Sequence, residues 1–312
     1  MCGITGILSI RGTDSAVIAA MTSVLTHRGP DARNIWQSPD RRLAFGHQRL
    51  SVIDLSDAGA QPMHSAGERF CIIYNGEVYN TRGLRDDLEK AGIRFRGHSD
   101  TEVILEACAL YGVETTVNKL IGMFAFALWD KAEEVLYLVR DRLGIKPLYW
   151  GEVDGIFLFA SELKSLRQHP GWKPEIDRSA LSQFMRYGFI PAPATIYKGI
   201  FKLQPGSILT MRTGARPEIN RYWSMETVAR NGIQNRIDDE TQAIRNLETS
   251  LDEAVSARMI ADVPLGAFLS GGIDSSLVVA LMQKHSALPV KTFTIGFHEP
   301  SFDEAVYAGE IA

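Results

Sequence analysis

The strongest constraint on the fold is a change of pattern near residue 212. Before it, short apolar runs lie between turn residues, with no regular strand–helix–strand rhythm. After it, strand and helix alternate. Residues 4–10, 43–47 and 70–74 read as strands bounded by turn formers. Residues 124–129 and 135–139 form a hairpin around Asp130-Lys131-Ala132-Glu133, and 148–152 with 156–160 form another around Asp154-Gly155. Residues 100–110 place Val103, Ile104, Ala107, Leu110 and Tyr111 on one helical face, and 177–187 read as a second helix. This mixture predicts an α+β domain over residues 2–211.

Residues 212–238, which carry Gly214, Pro217, Asn220, Asn231, Gly232 and Asn235, read as a linker. An amphipathic helix follows, with Ile244, Leu247, Leu251, Val255 and Met259 on one face. Residues 263–269 then read as a buried strand, Ser270-Gly271-Gly272 as a tight loop, 275–284 as a helix and 290–297 as a second strand. Ser301-Phe302-Asp303-Glu304 has capping-box spacing and predicts a helix start. Strand–helix–strand–helix opens a parallel α/β sheet. Residues 239–312 hold too few such units for a closed core, so this second domain reads as truncated.

Composition narrows the partners. A net charge of −4 without basic clusters gives no electrostatic case for nucleic acid. The longest strongly apolar run, 120–129, is about half of the ~20 residues a membrane span needs. Three scattered cysteines, Cys2, Cys71 and Cys108, form neither a disulfide framework nor a zinc pattern, and a reducing cytoplasm is expected. Cys71 and Cys108 sit in apolar surroundings and read as inert core.

Two places carry chemistry. Removing Met1 would put Cys2 at the amino terminus. A thiol of pKa about 8.5 and an α-amine of about 7.7–8.0 can then exchange a proton within one residue. The second place is Ser270-Gly271-Gly272-Ile273-Asp274-Ser275-Ser276, at a strand-to-helix junction. Glycines let backbone approach an anion, and the helix start offers free N–H groups. Asp274 repels phosphate unless it holds Mg²⁺. A Walker lysine is absent from the loop, which favours gripping a pyrophosphate over γ-phosphate transfer. A plain Gly-Ser turn, with Asp274 as a dipole partner, is the competing reading.

That loop resembles the one in ATP pyrophosphatases, which adenylate carboxylates. The front half resembles the class II, N-terminal-nucleophile glutamine amidotransferases. The matching stretches are Met1-Cys2-Gly3-Ile4, His27-Arg28-Gly29-Pro30-Asp31, Arg49-Leu50-Ser51, Asn75-Gly76-Glu77-Val78-Tyr79-Asn80, Ser99-Asp100-Thr101-Glu102, the run from Asp141 through Gly144 and Lys146 to Tyr149, and Ala160-Ser161-Glu162-Leu163-Lys164. In this order they are similar to glutamine-hydrolysing asparagine synthetases, and they span essentially the whole chain.

The resemblance implies a four-layer αββα sandwich followed by the start of a nucleotide-binding α/β domain. It implies ATP as co-substrate, Mg²⁺, glutamine, and aspartate or another carboxylate as acceptor, including carboxylates of surface polysaccharides. A homodimer is also implied. Cys2 would attack the glutamine amide, with Asn75 and the Gly76 N–H as oxyanion donors. Arg49 would grip the α-carboxylate, and Asp100 and Glu77 the α-ammonium. Leu269 and Ile295 would flank adenine, with Ser270, Gly271, Gly272, Asp274 and Ser275 at the phosphates. Each position has a plainer reading too. Asn75-Gly76 is a strong hairpin-turn signal, Asp100 could be a helix N-cap and Arg49 a surface charge. His27 and Arg28 read as residues that order a loop. Met123 matches a position in the family's ammonia passage, but core packing is the reading its residue type favours. A glutamine-binding regulatory module with a vestigial second domain is the alternative from another class.

Overall fold

The computed structural model describes residues 1–299 and 301–312. The chain divides into two compact units, Met1–Arg230 and Asn231–Ala312.

The strands of the first unit are β1 (Gly3–Ser9), β2 (Ala32–Gln37), β3 (Leu43–Arg49), β4 (Met63–His64), β5 (Phe70–Val78), β6 (Gly122–Asp130), β7 (Val135–Arg140), β8 (Tyr149–Val153), β9 (Ile156–Ala160), β10 (Ile200–Lys202), β11 (Ser207–Arg212) and β12 (Glu218–Arg221). Its helices are α1 (Ser15–Ser23), α2 (Thr81–Lys90), α3 (Asp100–Tyr111), α4 (Val113–Lys119), α5 (Leu163–Leu166) and α6 (Arg178–Tyr187), and the division at Arg230 falls within α7 (Met225–Gln234). One sheet runs β10-β8-β9-β1-β3-β2 and the other β12-β11-β7-β6-β5-β4. Neighbouring strands in both are antiparallel.

Three apolar layers separate four layers of structure. Between the sheets, Ile4, Leu8, Phe45 and Phe159 meet Ile73, Ala127, Leu138 and Leu209. Outside the second sheet, Ile72, Tyr74 and Phe126 pack against Leu88 of α2, Ile104 and Cys108 of α3 and Val117 of α4. Outside the first, Ile7, Ala44 and Leu158 pack against Ile18 and Met21 of α1 and Leu166 of α5. The unit is therefore the αββα sandwich that the resemblance implies. Strands such as FCIIYNGEV carry apolar side chains on both faces because both faces are covered. Cys71 lies between the sheets and Cys108 in the outer layer, both buried thiols.

Several expectations change here. Residues 212–238 are not a bare linker: β12 pairs with β11, and α7 follows. The strand expected to end at Tyr74 continues to Val78, with Asn75 opposite Ala125 and Gly76 opposite Phe124. Asn75-Gly76 is thus no hairpin turn. Ladder pairing with β6 overrides the local preference of the dipeptide.

In the second unit, α8 (Glu240–Ser256) stops before Met259. Strands β13 (Gly266–Phe268) and β14 (Lys291–Phe293) pair in parallel, with α9 (Ile273–Lys284) between them in sequence. Both strands are shorter than expected, since each has only the other as partner in a two-stranded sheet. The Ser301 capping box does not form. The last helix, α10, spans Ala305–Ile311, and Asp303 accepts the Ala305 N–H at 3.1 Å. Among the described residues, no helix is long and apolar enough to cross a membrane.

Candidate active site

A cavity of about 210 Å³ in the first unit is lined by Cys2, Arg49, Asn75, Gly76, Glu77 and Asp100, with Tyr74, Gln61, Met123 and Lys146. All six residues that the sequence singles out for glutamine meet here from four separate segments, at Cys2, Arg49, Asn75-Gly76-Glu77 and Asp100.

Cys2 immediately precedes β1, where that strand of the first sheet faces β5 of the second. Its Sγ lies 3.6 Å from the Leu50 carbonyl oxygen and 3.4 Å from the Leu50 nitrogen, which donates to it. Burial pushes the Cys2 thiol above its ordinary range, and burial likewise lowers the ammonium of Met1. The Cys2 carbonyl accepts from Arg28 Nε at 2.9 Å. Arg28 in turn donates to Glu162 at 2.9 Å, and His27 and Lys164 join that carboxylate. Burial would raise the Glu162 carboxyl, but these donors hold it at about 2. The His27–Arg28 segment thus fixes the backbone of Cys2, and both side chains are held by Glu162.

On β5, Asn75 and Gly76 both line the cavity. Asn75 is 1% exposed, and both polar atoms of its amide lack a protein partner. A buried amide left so costs about 1–3 kcal/mol, which a ligand inside the cavity can relieve. The Gly76 N–H is available for a topological reason. Phe124, its cross-strand neighbour, gives its N–H to Asp141 Oδ2 at 3.2 Å, and its carbonyl accepts the Asp141 N–H at 2.8 Å. Gly76 and Phe124 therefore exchange no hydrogen bonds, and the Gly76 N–H faces the other edge of β5. On that edge the Tyr74 N–H goes to Gln61 Oε1 at 2.6 Å and the Val78 N–H to Asp100 Oδ2 at 3.1 Å. The pairing recorded between β4 and β5 extends only to Ile72, so Gly76 points into the cavity. The position tolerates no side chain: a Cβ there would lie 2.3 Å from the Met123 carbonyl oxygen.

Arg49 ends β3 and is 8% exposed, so it is no surface charge. It donates to the carbonyls of Ser56, at 3.1 Å, and Asp54, leaving other N–H groups of its fork for a ligand. Asp100 is the first residue of α3, not its cap; Ser99 caps the helix by accepting from Glu102 N at 3.3 Å. The Asp100 carboxylate accepts from Tyr74 Oη at 2.8 Å as well as from Val78. Burial nevertheless raises it to about 6. Residues that sequence reasoning left without a role also belong here. Met123 lines the cavity instead of the core, and Lys146 reaches it from the loop after β7. His47, buried and lowered to about 4 by that burial, donates from Nε2 to the Tyr74 carbonyl at 3.1 Å and ties the two sheets together.

The raised Asp100 carboxyl has a consequence for stability. Its unfolded value is near 3.8 and its folded value about 6, so the folded chain holds the proton more tightly. The contribution is full below about pH 4 and falls away as pH rises through 6. Asp100→Asn, which removes this ionisation, should stabilise the chain by roughly 1–3 kcal/mol at pH 8. The gain should vanish below about pH 4. Denaturant unfolding at the two pH values checks this; an equal effect at both would assign it to packing.

In the second unit the loop folds on itself. Ser270 and Ser275 hydroxyls lie 2.9 Å apart, and Ser275 and Ser276 donate to the Gly272 carbonyl at 3.1 and 2.7 Å. Gly271 has φ of +81°, and a Cβ there would strike Tyr307 at 2.7 Å. A cavity of about 430 Å³ beside the loop is walled by Ser270, Gly271, Gly272, Asp303, Glu304 and Tyr307. Leu269, Asp274, Ser275 and Ile295 are not among its walls. Leu269 is 2% exposed and Ile295 68%; Leu269 donates its N–H to the Phe293 carbonyl at 3.0 Å and accepts from Thr294 Oγ1 at 2.6 Å. Asp274 lies in the exposed first turn of α9. Among the described residues no three acidic, His or Cys side chains gather to hold a metal. Asp274 offers one hard oxygen, which suits Mg²⁺ only when phosphates complete the shell.

Residues 1–223 match the glutamine amidotransferase domain family, and residues 246–312 match asparagine synthase. The chain belongs to the glutamine amidotransferase family. It is similar to asparagine synthetase [glutamine-hydrolyzing] 1 of Bacillus subtilis, at 38% identity over all of this chain and 48% of that protein. Asparagine synthetase [glutamine-hydrolyzing] 3 of the same organism is 37% identical over 96% of this chain and 48% of its own length. A fungal relative, amidase chry2 of Gibberella zeae, is 34% identical over all of this chain and 49% of its own. The amidotransferase chain thus spans about half the length of these relatives. Its fold is shared with the glutamine phosphoribosylpyrophosphate amidotransferase from B. subtilis, with a TM-score of 0.53 at 17% identity, over 96% of this chain and 67% of that one.

Proposed function

We propose that this chain hydrolyses glutamine at Cys2 and that the protein carrying it passes the ammonia to a carboxylate activated by ATP, with aspartate as acceptor. The observation that carries the first half is the buried, unpartnered Asn75 amide in the same cavity as the Cys2 thiol. After removal of Met1, the Cys2 amine takes the thiol proton and sulfur attacks the side-chain amide carbon. The oxyanion meets Asn75 Nδ2 and the Gly76 N–H. The amine returns its proton to the leaving nitrogen, and water cleaves the thioester to glutamate. Arg49 takes the α-carboxylate, and Asp100 and Glu77 the α-ammonium. Binding that cation favours ionised Asp100, so the glutamine KM rises below about pH 6.

The second half rests on the asparagine synthase match and on the Gly271 loop at a helix start. The loop and the first turn of α9 would hold ATP phosphates. Mg²⁺, held by Asp274, would neutralise phosphate charge. The acceptor carboxylate would attack the α-phosphorus of ATP and release pyrophosphate, and ammonia would then attack the acyl carbon of the adenylate and release AMP. A second reading keeps this scheme with another carboxylate acceptor, and the relative named an amidase favours keeping it open.

The test is direct. The purified protein should begin at Cys2 by mass spectrometry and release glutamate and ammonia from glutamine in equal amounts. The complete protein should then release pyrophosphate from Mg-ATP in step with asparagine when aspartate is supplied. Retained Met1 with no hydrolysis would overturn the first half. Hydrolysis without any response to aspartate would move the acceptor to another carboxylate.

A further inference from the structure

Lys146 belongs to the glutaminase cavity but has no part in the scheme above. It is 5% exposed, it lines the cavity beside Met1, Cys2, Asn75 and Glu77, and among the described residues its ammonium makes no hydrogen bond or ion pair. A lysine buried to this degree is ordinarily paired. The loop that presents it is held rigidly. Asp141, itself buried, accepts the N–H groups of Leu143 and Ile145 on one oxygen, at 3.1 and 3.0 Å. Its other oxygen accepts from Phe124 and from Lys146 itself, at 3.2 and 3.0 Å. Arg140 donates to the carbonyls of Lys146, Gly144 and Leu203 at 2.8, 2.7 and 2.6 Å. Every one of these bonds holds the loop backbone and leaves the Lys146 side chain free to serve the cavity.

We propose that Lys146 is an electrostatic positioning residue, whose positive charge keeps the Cys2 α-amine, exposed once Met1 is removed, free of its proton and so sets the acid side of the glutaminase pH profile. The proposal rests on the glutaminase reading above. A cation beside an amine disfavours the second positive charge, so the amine is ready to accept the thiol proton. Other charges face the same place: Arg28 from the segment before β2, Arg49 from β3, Glu77 from β5, Asp100 from α3 and Asp141 from the Lys146 loop. Glu77 and Asp100 oppose the lysine, while Arg28 and Arg49 act with it. In the chain that still carries Met1, burial and then Lys146 and Arg28 lower the Met1 amine, against the opposing pull of Cys2; removing Met1 shifts the amine one residue, to Cys2, which lines the same cavity.

The test compares the wild-type chain with Lys146→Met and Lys146→Arg from pH 5.5 to 9. Two readouts are taken: glutamine hydrolysis, and the rate at which iodoacetamide alkylates Cys2, located by mass spectrometry. Cys71 and Cys108 are buried and stay silent. In Lys146→Met the acid limb of both readouts should move up by about one pH unit, giving a roughly tenfold loss at pH 6 and recovery at pH 9. Lys146→Arg should keep the wild-type limb. A uniform loss at every pH, or an unmoved limb, overturns the proposal. If Lys146→Met does not fold, Lys146→Gln carries the same expectation. A chain that never hydrolyses glutamine yet shows the shifted alkylation limb would sink the glutaminase reading and leave the electrostatic one standing.

Discussion

Cys2→Ala should abolish glutamine hydrolysis, by a factor on the order of 10⁴ or more, while leaving the fold intact. Sγ touches the protein through the Leu50 backbone alone among its hydrogen bonds, at 3.6 and 3.4 Å. Losing such weak contacts costs little. Arg49, Glu77 and Asp100 are untouched, so the variant should still bind glutamine, which calorimetry on the inactive protein can measure. In the complete protein, ammonia supplied directly should restore the synthetase reaction. Cys2→Ser should fare little better, because a serine hydroxyl at this position gives up its proton far less readily than a thiol. Loss of glutamine binding together with hydrolysis would mean that Cys2 holds the site together and is not simply its nucleophile.

Asn75→Ala separates the oxyanion donor from the nucleophile. Removing one preorganised donor costs about 2.7–4 kcal/mol in the transition state, roughly 10²–10³ in kcat. The glutamine KM should change little, since the ground-state carbonyl draws weakly on that donor. The stability result is less usual. A buried asparagine ordinarily anchors a hydrogen-bond network, and truncating it is expensive. Here neither polar atom has a protein partner, so truncation strands no other group. The stability change should stay within about 1 kcal/mol, and denaturant titration beside steady-state kinetics reads both numbers. A raised KM with kcat preserved would recast Asn75 as a residue that binds the substrate and not the transition state.

The parts of the fold legible in the sequence were those where a local rule and the tertiary structure agree. The two hairpins joining β6 to β7 and β8 to β9, and helix α3, lie close to where periodicity and turn residues place them. Three misreadings share one cause, a local signal overridden at a distance. Asn75-Gly76 signals a turn but lies in a strand paired along its length with β6. Asp100 has the chemistry of a cap, but Ser99 takes that position and frees the carboxylate for Tyr74. Ser301 to Glu304 has capping-box spacing, but the helix begins at Ala305.

The candidate site divides in the same way. Cys2 stands out from its place in the chain, and the other residues drew attention through the resemblance of their motifs. Lys146 lies within one of those motifs but was given no role, because its burial without a hydrogen-bond partner is something no local pattern encodes. The sequence by itself determined the two hairpins, helix α3, the place of the thiol at residue 2 and the glycine loop ahead of α9. These depend on backbone preference and spacing along the chain. Only the tertiary structure decided that Gly76 keeps a free N–H, that Asn75 is left without a partner and that Asp100 is raised toward neutrality. Each of these follows from which groups are excluded from water and which donors are already spent, and both are settled when the two sheets close on each other.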